Sequence, residues 1–96
     1  MLLMTIRLSR LIIYIYERDI MKLEEFIQNF ADQFENTDAD EITATTVFKD
    51  LDEWSSLIAL SIIAMVDEEY DVTLKGDDIR GATTIGDLFN IVNDRA

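Results

Sequence analysis

The 96-residue sequence contains no cysteine, no histidine and no proline, and only three glycines. Without cysteine there is no disulfide framework, no thiolate metal site and no cysteine nucleophile. Without histidine the chain lacks the usual general base near neutral pH and the commonest metal ligand, so Ser-His-Asp catalysis is excluded. Composition therefore argues against most enzyme classes, although a lone pair of carboxylates remains chemically possible, and we expect a protein that is not an enzyme and holds no metal. Its length suits one domain.

Positive charge is also scarce, because 20 acidic residues face 8 basic ones and the formal charge is −12. The negative electrostatic field of such a protein repels nucleic acid and anionic lipid, and it attracts partners that carry basic patches. We expect a cytoplasmic monomer with no nucleic-acid or membrane partner. The alternative interpretation of the acids is that they only keep a small protein soluble.

The chain divides near Met21. Residues 1–20 hold three arginines and two acids, whereas residues 21–96 hold five basic and 18 acidic residues. The first segment is apolar, but it is interrupted by Arg7 and Arg10 and lacks a signal-peptide cleavage pattern. We expect an N-terminal extension, non-native or disordered, ahead of a domain at 21–96. A membrane-surface tether and an extra packed element are the alternatives.

Apolar residues recur at helical spacing in three stretches of the domain. The first stretch predicts a helix over 22–35, with Leu23, Phe26, Ile27, Phe30 and Phe34 on one face. The second predicts a helix from Ser56 to Tyr70 with Ser55 as its N-cap. The third begins at Thr84, which forms a capping box with Asp87, and it should fray near Asn93.

Two further segments complete the predicted fold. Residues 36–54 form a long connection, and four apolar residues are expected to pin it to the core: Ile42, Val47, Phe48 and Leu51. Residues 75–81 are bounded by glycines and predict one short helical turn around Ile79. The fold class is therefore all-α, a small helical bundle with three main helices, one short helix and a long loop after helix 1.

Three short motifs share one register between residues 48 and 74. Phe48 to Leu51 read FKDL, Ser56 and Leu57 form a Ser-Leu pair, and residues 67–71 read DEEYD. Together they resemble the acyl carrier proteins and the related carrier domains of polyketide and peptide synthases. That family has an FxDLG-like segment, then Asp-Ser-Leu at the start of helix 2, then an apolar helix that ends in acids, an aromatic residue and Asp. The resemblance extends from about Met21 to Val92.

The resemblance implies that Ser56 receives a 4′-phosphopantetheine arm from coenzyme A, transferred by a phosphopantetheinyl transferase. The thiol of the arm would carry acyl groups as thioesters in fatty-acid or specialised lipid or polyketide-type biosynthesis. An aminoacyl or peptidyl carrier and an unmodified acidic interaction module are the alternatives. A serine at a helix start suits an anionic phosphodiester, although serine is common there for capping alone.

The sequence departs from the family pattern in two places. Ser55 stands where the family usually has Asp, and Ile58 and Ser61 stand where acids often follow the serine. We therefore expect synthase enzymes with basic patches to recognise acids before the serine, at Asp50, Asp52 and Glu53, and after it. The remaining recognition residues that we predict are Trp54, Leu57, Ile58, Asp67, Glu68 and Glu69. A solvated acidic face, with Trp54 and Leu57 in the core, is the alternative.

Overall fold

The structure is a computed structural model, and it describes residues 22–96. Four α-helices and two 3₁₀ turns make up this part of the chain, and it contains no strand. The α-helices are α1 over 22–31, α2 over Ser56–Tyr70, α3 over Gly76–Gly81 and α4 over Ile85–Arg95. The 3₁₀ turns are Ala39–Glu41 and Phe48–Asp50. The all-α prediction, with three main helices and a short one, is confirmed.

Helix α1 ends four residues earlier than predicted. Its last helical residue is Ala31. The amides of Gln33 and Phe34 bond at the tighter i→i−3 spacing, to the carbonyls of Phe30 at 3.1 Å and Ala31 at 3.0 Å. Phe34 is nevertheless buried. The apolar spacing therefore continues beyond the helix, which is why the predicted end at residue 35 is wrong.

Aromatic rings link the helices through the middle of the core. Phe26 and Phe30 of α1 are fully buried, and their ring centroids lie 6.4 Å apart. Phe30 meets the ring of Phe48 edge-on at 5.7 Å, and Phe26 meets Phe89 of α4 at 5.5 Å. Such pairs add about 0.5–1.5 kcal/mol beyond the burial of their surface. They fix α1 against both the long connection and α4.

The connection between α1 and α2 is held by three of the four predicted anchors. Ile42 and Phe48 are buried, and Leu51 packs against the core. Val47 is wrong as an anchor, because its backbone pairs with that of Thr84 and its side chain faces solvent. The N–H of Gly86 donates to the carbonyl of Ala44 at 2.8 Å, and a Cβ on Gly86 would lie only 3.1 Å from that oxygen. Glycine thus permits this close approach.

Helix α4 begins as predicted and ends later. Thr84 accepts the N–H of Asp87 at 3.1 Å, and the Asp87 carboxylate accepts the N–H of Thr84 at 3.0 Å. The helix continues past Asn93 to Arg95, whose guanidinium pairs with Asp78 in α3. This distant ion pair holds the last turn, so the predicted fraying near Asn93 is wrong.

The predicted extension at residues 1–20 lies outside the described residues. Among residues 22–96, no helix combines the length and the apolar character that crossing a membrane requires.

Candidate functional site

Two adjacent serines at the start of α2 have different environments. Ser55 is extended, with φ −156° and ψ 171°, and its Oγ accepts the N–H of Ile58 at 3.2 Å. Its carbonyl accepts the N–H of Ala59 at 2.9 Å. Ser56 is the first residue of the helix and is exposed. Ser55 is therefore the cap, as predicted, and Ser56 places its hydroxyl on the surface at the helix N-terminus.

A groove of about 450 Å³ opens beside Ser56, between α2 and α3. Its α2 wall has Ser56 at one end and three apolar residues, Ala59, Leu60 and Ile63, at i+3, i+4 and i+7. Residues at these spacings lie on one face of a helix. The rest of the lining is Lys49, Trp54, Ser55, Gly76, Ile79 and Arg80. An exposed serine hydroxyl thus lies at the edge of a largely apolar groove that also has two basic side chains.

The predicted apolar recognition residues differ in exposure. Leu57 is 72% exposed, whereas Ile58 is half-buried and packs against the core. Trp54 is also half-buried, and its ring meets Phe48 edge-on with centroids 5.0 Å apart. The sequence interpretation missed Leu60, which is 63% exposed. The signal for it was present, because α2 is apolar on more than one side.

The acids after the serine lie far from it along α2. Asp67 and Glu68 are exposed on the last turns of the helix. They begin 11 residues after Ser56, which is about 16 Å along the axis at the α-helical rise. Asp67 lines a second, smaller cavity of about 280 Å³ with Ile63 and Thr73. The structure therefore does not bring these acids together with Ser56.

The acids before the serine do not act as one cluster. Asp50 and Asp52 are exposed, but Glu53 is turned towards the backbone that follows α1. Its Oε2 accepts the N–H of Glu35 at 2.7 Å, and its Oε1 accepts the N–H of Asn36 at 2.9 Å. These bonds lower the pKa of Glu53, the bond from Glu35 most of all. The Glu53 carboxylate is therefore hydrogen-bonded within the protein, whereas Asp50 and Asp52 are exposed.

Carboxylates elsewhere in the described residues do not gather into a metal site. Within 22–96, no group of three or more acidic side chains is arranged to hold an ion.

The residues at the start of α2 fit the phosphopantetheine arm that the resemblance implies. Ser56 is exposed, and the adjoining groove is open to solvent. The helix N-terminus favours a negative group, and so do the basic side chains of Lys49 and Arg80 in the groove. Ser56 can therefore accept a phosphodiester without displacing a core residue.

Comparison with protein families matches residues 24–92 to the family described as "Phosphopantetheine attachment site". A search of curated proteins and a search of solved structures gave no significant match. The matched range includes all of α2, α3 and their connections, and most of α1 and α4. This chain belongs to the phosphopantetheine-binding carrier proteins, which are not enzymes and bear a covalent 4′-phosphopantetheine group.

Proposed function

We propose that this protein is an acyl carrier protein whose arm is attached to Ser56 and whose carrier domain is residues 21–96. The observation that carries the proposal is the position of Ser56. It is exposed, it begins α2, and it lies at the edge of an apolar groove. Its neighbour Ser55 is committed to capping the helix through Ile58.

Attachment would transfer the phosphopantetheine group of coenzyme A to the Ser56 hydroxyl. The Oγ of Ser56 attacks the phosphorus of coenzyme A that bears pantetheine. A phosphorus–oxygen bond forms, the bond from that phosphorus to the bridging oxygen breaks, and adenosine 3′,5′-bisphosphate leaves. The serine proton passes to a base on the transferase, since this chain has neither histidine nor cysteine to activate the hydroxyl. When bound, the arm supplies a thiol that carries cargo as a thioester.

The nature of the groove favours acyl cargo over aminoacyl or peptidyl cargo. Four of its lining residues are aliphatic: Ala59, Leu60, Ile63 and Ile79. Burying an alkyl chain against them gains about 0.8 kcal/mol for each methylene removed from water, whereas an ammonium group would lose hydration there. NMR of the loaded protein tests this, because a medium-chain acyl group should shift the Ile63 and Ile79 methyl signals and an aminoacyl group should not.

The principal experiment is modification in vitro. The full chain is incubated with coenzyme A, Mg²⁺ and a promiscuous phosphopantetheinyl transferase, and its intact mass is measured. We expect one adduct on the wild type and on Ser55→Ala, and none on Ser56→Ala. An adduct that survives Ser56→Ala would move the site. No adduct on any form, while a control carrier is modified in the same tube, would favour an unmodified interaction module.

For partners, we propose synthase enzymes with basic patches that contact Asp67 and Glu68 together with Leu57, Ile58 and Trp54. The acids and Leu57 support this proposal, because they are exposed on one helix. The affinity for such an enzyme should fall as the salt concentration rises. It should also be lower in the Asp67→Asn and Glu68→Gln variants than in the wild type. Asp94→Asn is a matched control, since Asp94 is also exposed but lies on α4. An affinity indifferent to salt would contradict the electrostatic part.

A further inference from the structure

Two basic side chains share the groove with Ser56, although the domain is strongly acidic. Residues 22–96 contain five basic residues in all, and two of them, Lys49 and Arg80, line this groove. Lys49 comes from the 3₁₀ turn before α2, and Arg80 comes from the end of α3. Separate elements thus bring positive charge to the one place where attachment at Ser56 would add a negative charge.

The Lys49 ammonium is held in position by one hydrogen bond, and its other N–H donors remain available. Its Nζ donates to the carbonyl of Arg80 at 2.9 Å and lies 5.6 Å from the centroid of the Phe48 ring. An ammonium has three N–H donors, and this bond uses one of them. The bond also ties the 3₁₀ turn to α3. Lys49 can therefore bind an anion in the groove without giving up its own support.

Arg80 lies across the start of α3. Its Nη2 pairs with Asp77, and a Cβ on Gly76 would lie 3.3 Å from its Nη1. The guanidinium has five N–H donors, and the pair with Asp77 is largely exposed, with the Arg80 side chain 74% accessible. Exposed pairs of this kind contribute little and are easily shared. Arg80 is therefore free to bind a second anion.

We propose that Lys49 and Arg80 together bind the phosphodiester formed at Ser56 and thereby direct the arm into the groove between α2 and α3. This inference rests on the proposed attachment at Ser56. A phosphodiester carries one negative charge and strong acceptor oxygens, which suit an ammonium and a guanidinium. The 18 acids of residues 21–96 would otherwise repel it. The arm consequently leaves Ser56 towards α3 and not across the exposed Leu57.

The test uses the holo form of the full chain and does not depend on carrier activity. The ³¹P resonance of the phosphodiester is recorded at low and high ionic strength for the wild type, Lys49→Gln, Arg80→Gln and the double variant. The glutamine of Lys49→Gln keeps an N–H that can still donate to the carbonyl of Arg80. Lys75→Gln is the control, because it removes the same charge next to α3 but outside the groove.

We expect salt to displace the wild-type and Lys75→Gln resonances, with the displacement about halved in each single variant and nearly lost in the double variant. Arg80→Lys, which keeps the positive charge, should retain most of the displacement that Arg80→Gln loses. Nuclear Overhauser contacts from the methyl groups of the arm to Leu60 or Ile79 should accompany the wild-type signal. Thermal unfolding of each variant shows whether it remains folded.

Two results would overturn the inference while leaving attachment intact. One is a displacement that is equal in all four proteins and the control. The other is a response of the Lys49 and Arg80 side-chain signals only after loading with a carboxylate-terminated acyl group, which would identify the cargo and not the phosphodiester as the anion. If intact mass shows no adduct at all, it is the attachment at Ser56 that fails.

Discussion

Arg95, the last residue of α4, binds the Asp78 carboxylate of α3 with both terminal nitrogens of its guanidinium. Nη2 donates to Oδ1 at 2.7 Å, and Nη1 donates to Oδ2 at 2.8 Å. Asp78 Oδ2 also accepts the N–H of Lys75 at 2.9 Å. The Arg95 hydrogen bond, followed by the one from Lys75, lowers the pKa of Asp78 to about 2. The C-terminus of α4 is thus joined to the helix that forms one wall of the Ser56 groove.

The first prediction concerns acid stability. Because the pKa of Asp78 is lower in the folded protein than its ordinary value of 3.8, its contribution is complete above about pH 4 and is lost as pH falls towards 2. Asp78→Asn should remove that part of the pH dependence. At neutral pH it should cost about 1 kcal/mol or less, since the Arg95 side chain is 43% exposed and the pair is therefore screened by water and salt. Urea unfolding at several pH values measures both effects, and parallel curves for the two proteins would contradict the assignment.

The second prediction concerns the carboxylate that holds the segment after α1. In Glu53→Gln one acceptor oxygen is replaced by an N–H₂ group, which cannot accept from Glu35 or Asn36. We expect faster hydrogen exchange at whichever of those two amides faces the new N–H₂ group, with α2 unaffected. Asp52→Asn is the control, because Asp52 is exposed beside the same segment and makes neither bond. Unchanged protection in Glu53→Gln would show that the amides are held by something else.

The contacts of Asp78 and Glu53 also show a limit of prediction from sequence, because they join residues that are distant in the chain. The starts of α2 and α4 were predictable, because Ser55 and Thr84 act on amides only three residues away. The segment after α1 is held by Glu53, 18 residues from Glu35, and the last turn of α4 is held by the pair between Arg95 and Asp78, which are 17 residues apart. The spacing of residues within one segment cannot predict contacts between residues so far apart in the chain.

The same distinction applies to the site. Motifs close to Ser56 in the chain predict it as the attachment residue, and its place on the first turn of α2 follows from the Ser55 cap. The groove beside it was not predictable, because its walls come from the 3₁₀ turn, α2 and α3. The roles of Lys49 and Arg80 depend on that packing, so two basic residues 31 positions apart carried no visible signal.

The third prediction is that Ser55, and not Ser56, contributes to the stability of the fold. Ser55→Ala removes the acceptor for the Ile58 amide and should cost about 1 kcal/mol, or roughly 4–8 °C in Tm for a domain of this size. Ser56→Ala should change Tm little, because alanine is a good helix former and the side chain is exposed. Calorimetry of the two apo variants measures this. The reverse order of stabilities would assign the cap to Ser56.

The fourth prediction uses the exposed leucines of α2. Leu57→Ala and Leu60→Ala should alter the free energy of unfolding by no more than about 0.5 kcal/mol, because both side chains are mainly in solvent. Ile62→Ala is the contrasting variant on the same helix. Ile62 is fully buried, and its truncation should cost about 2–5 kcal/mol by the combined loss of burial and creation of a cavity.

Leu57 should matter instead for recognition. If it enters an apolar pocket of the phosphopantetheinyl transferase, as an interface anchor does, Leu57→Ala should lower kcat/KM for modification by about tenfold, which corresponds to about 1.4 kcal/mol. The folded fraction of the substrate should stay the same. Ala64→Ser, on an exposed part of α2 away from Ser56, serves as the control and should leave kcat/KM unchanged. A Leu57→Ala variant that is destabilised as strongly as Ile62→Ala would instead place Leu57 in the core, and the loss of modification would then reflect unfolding.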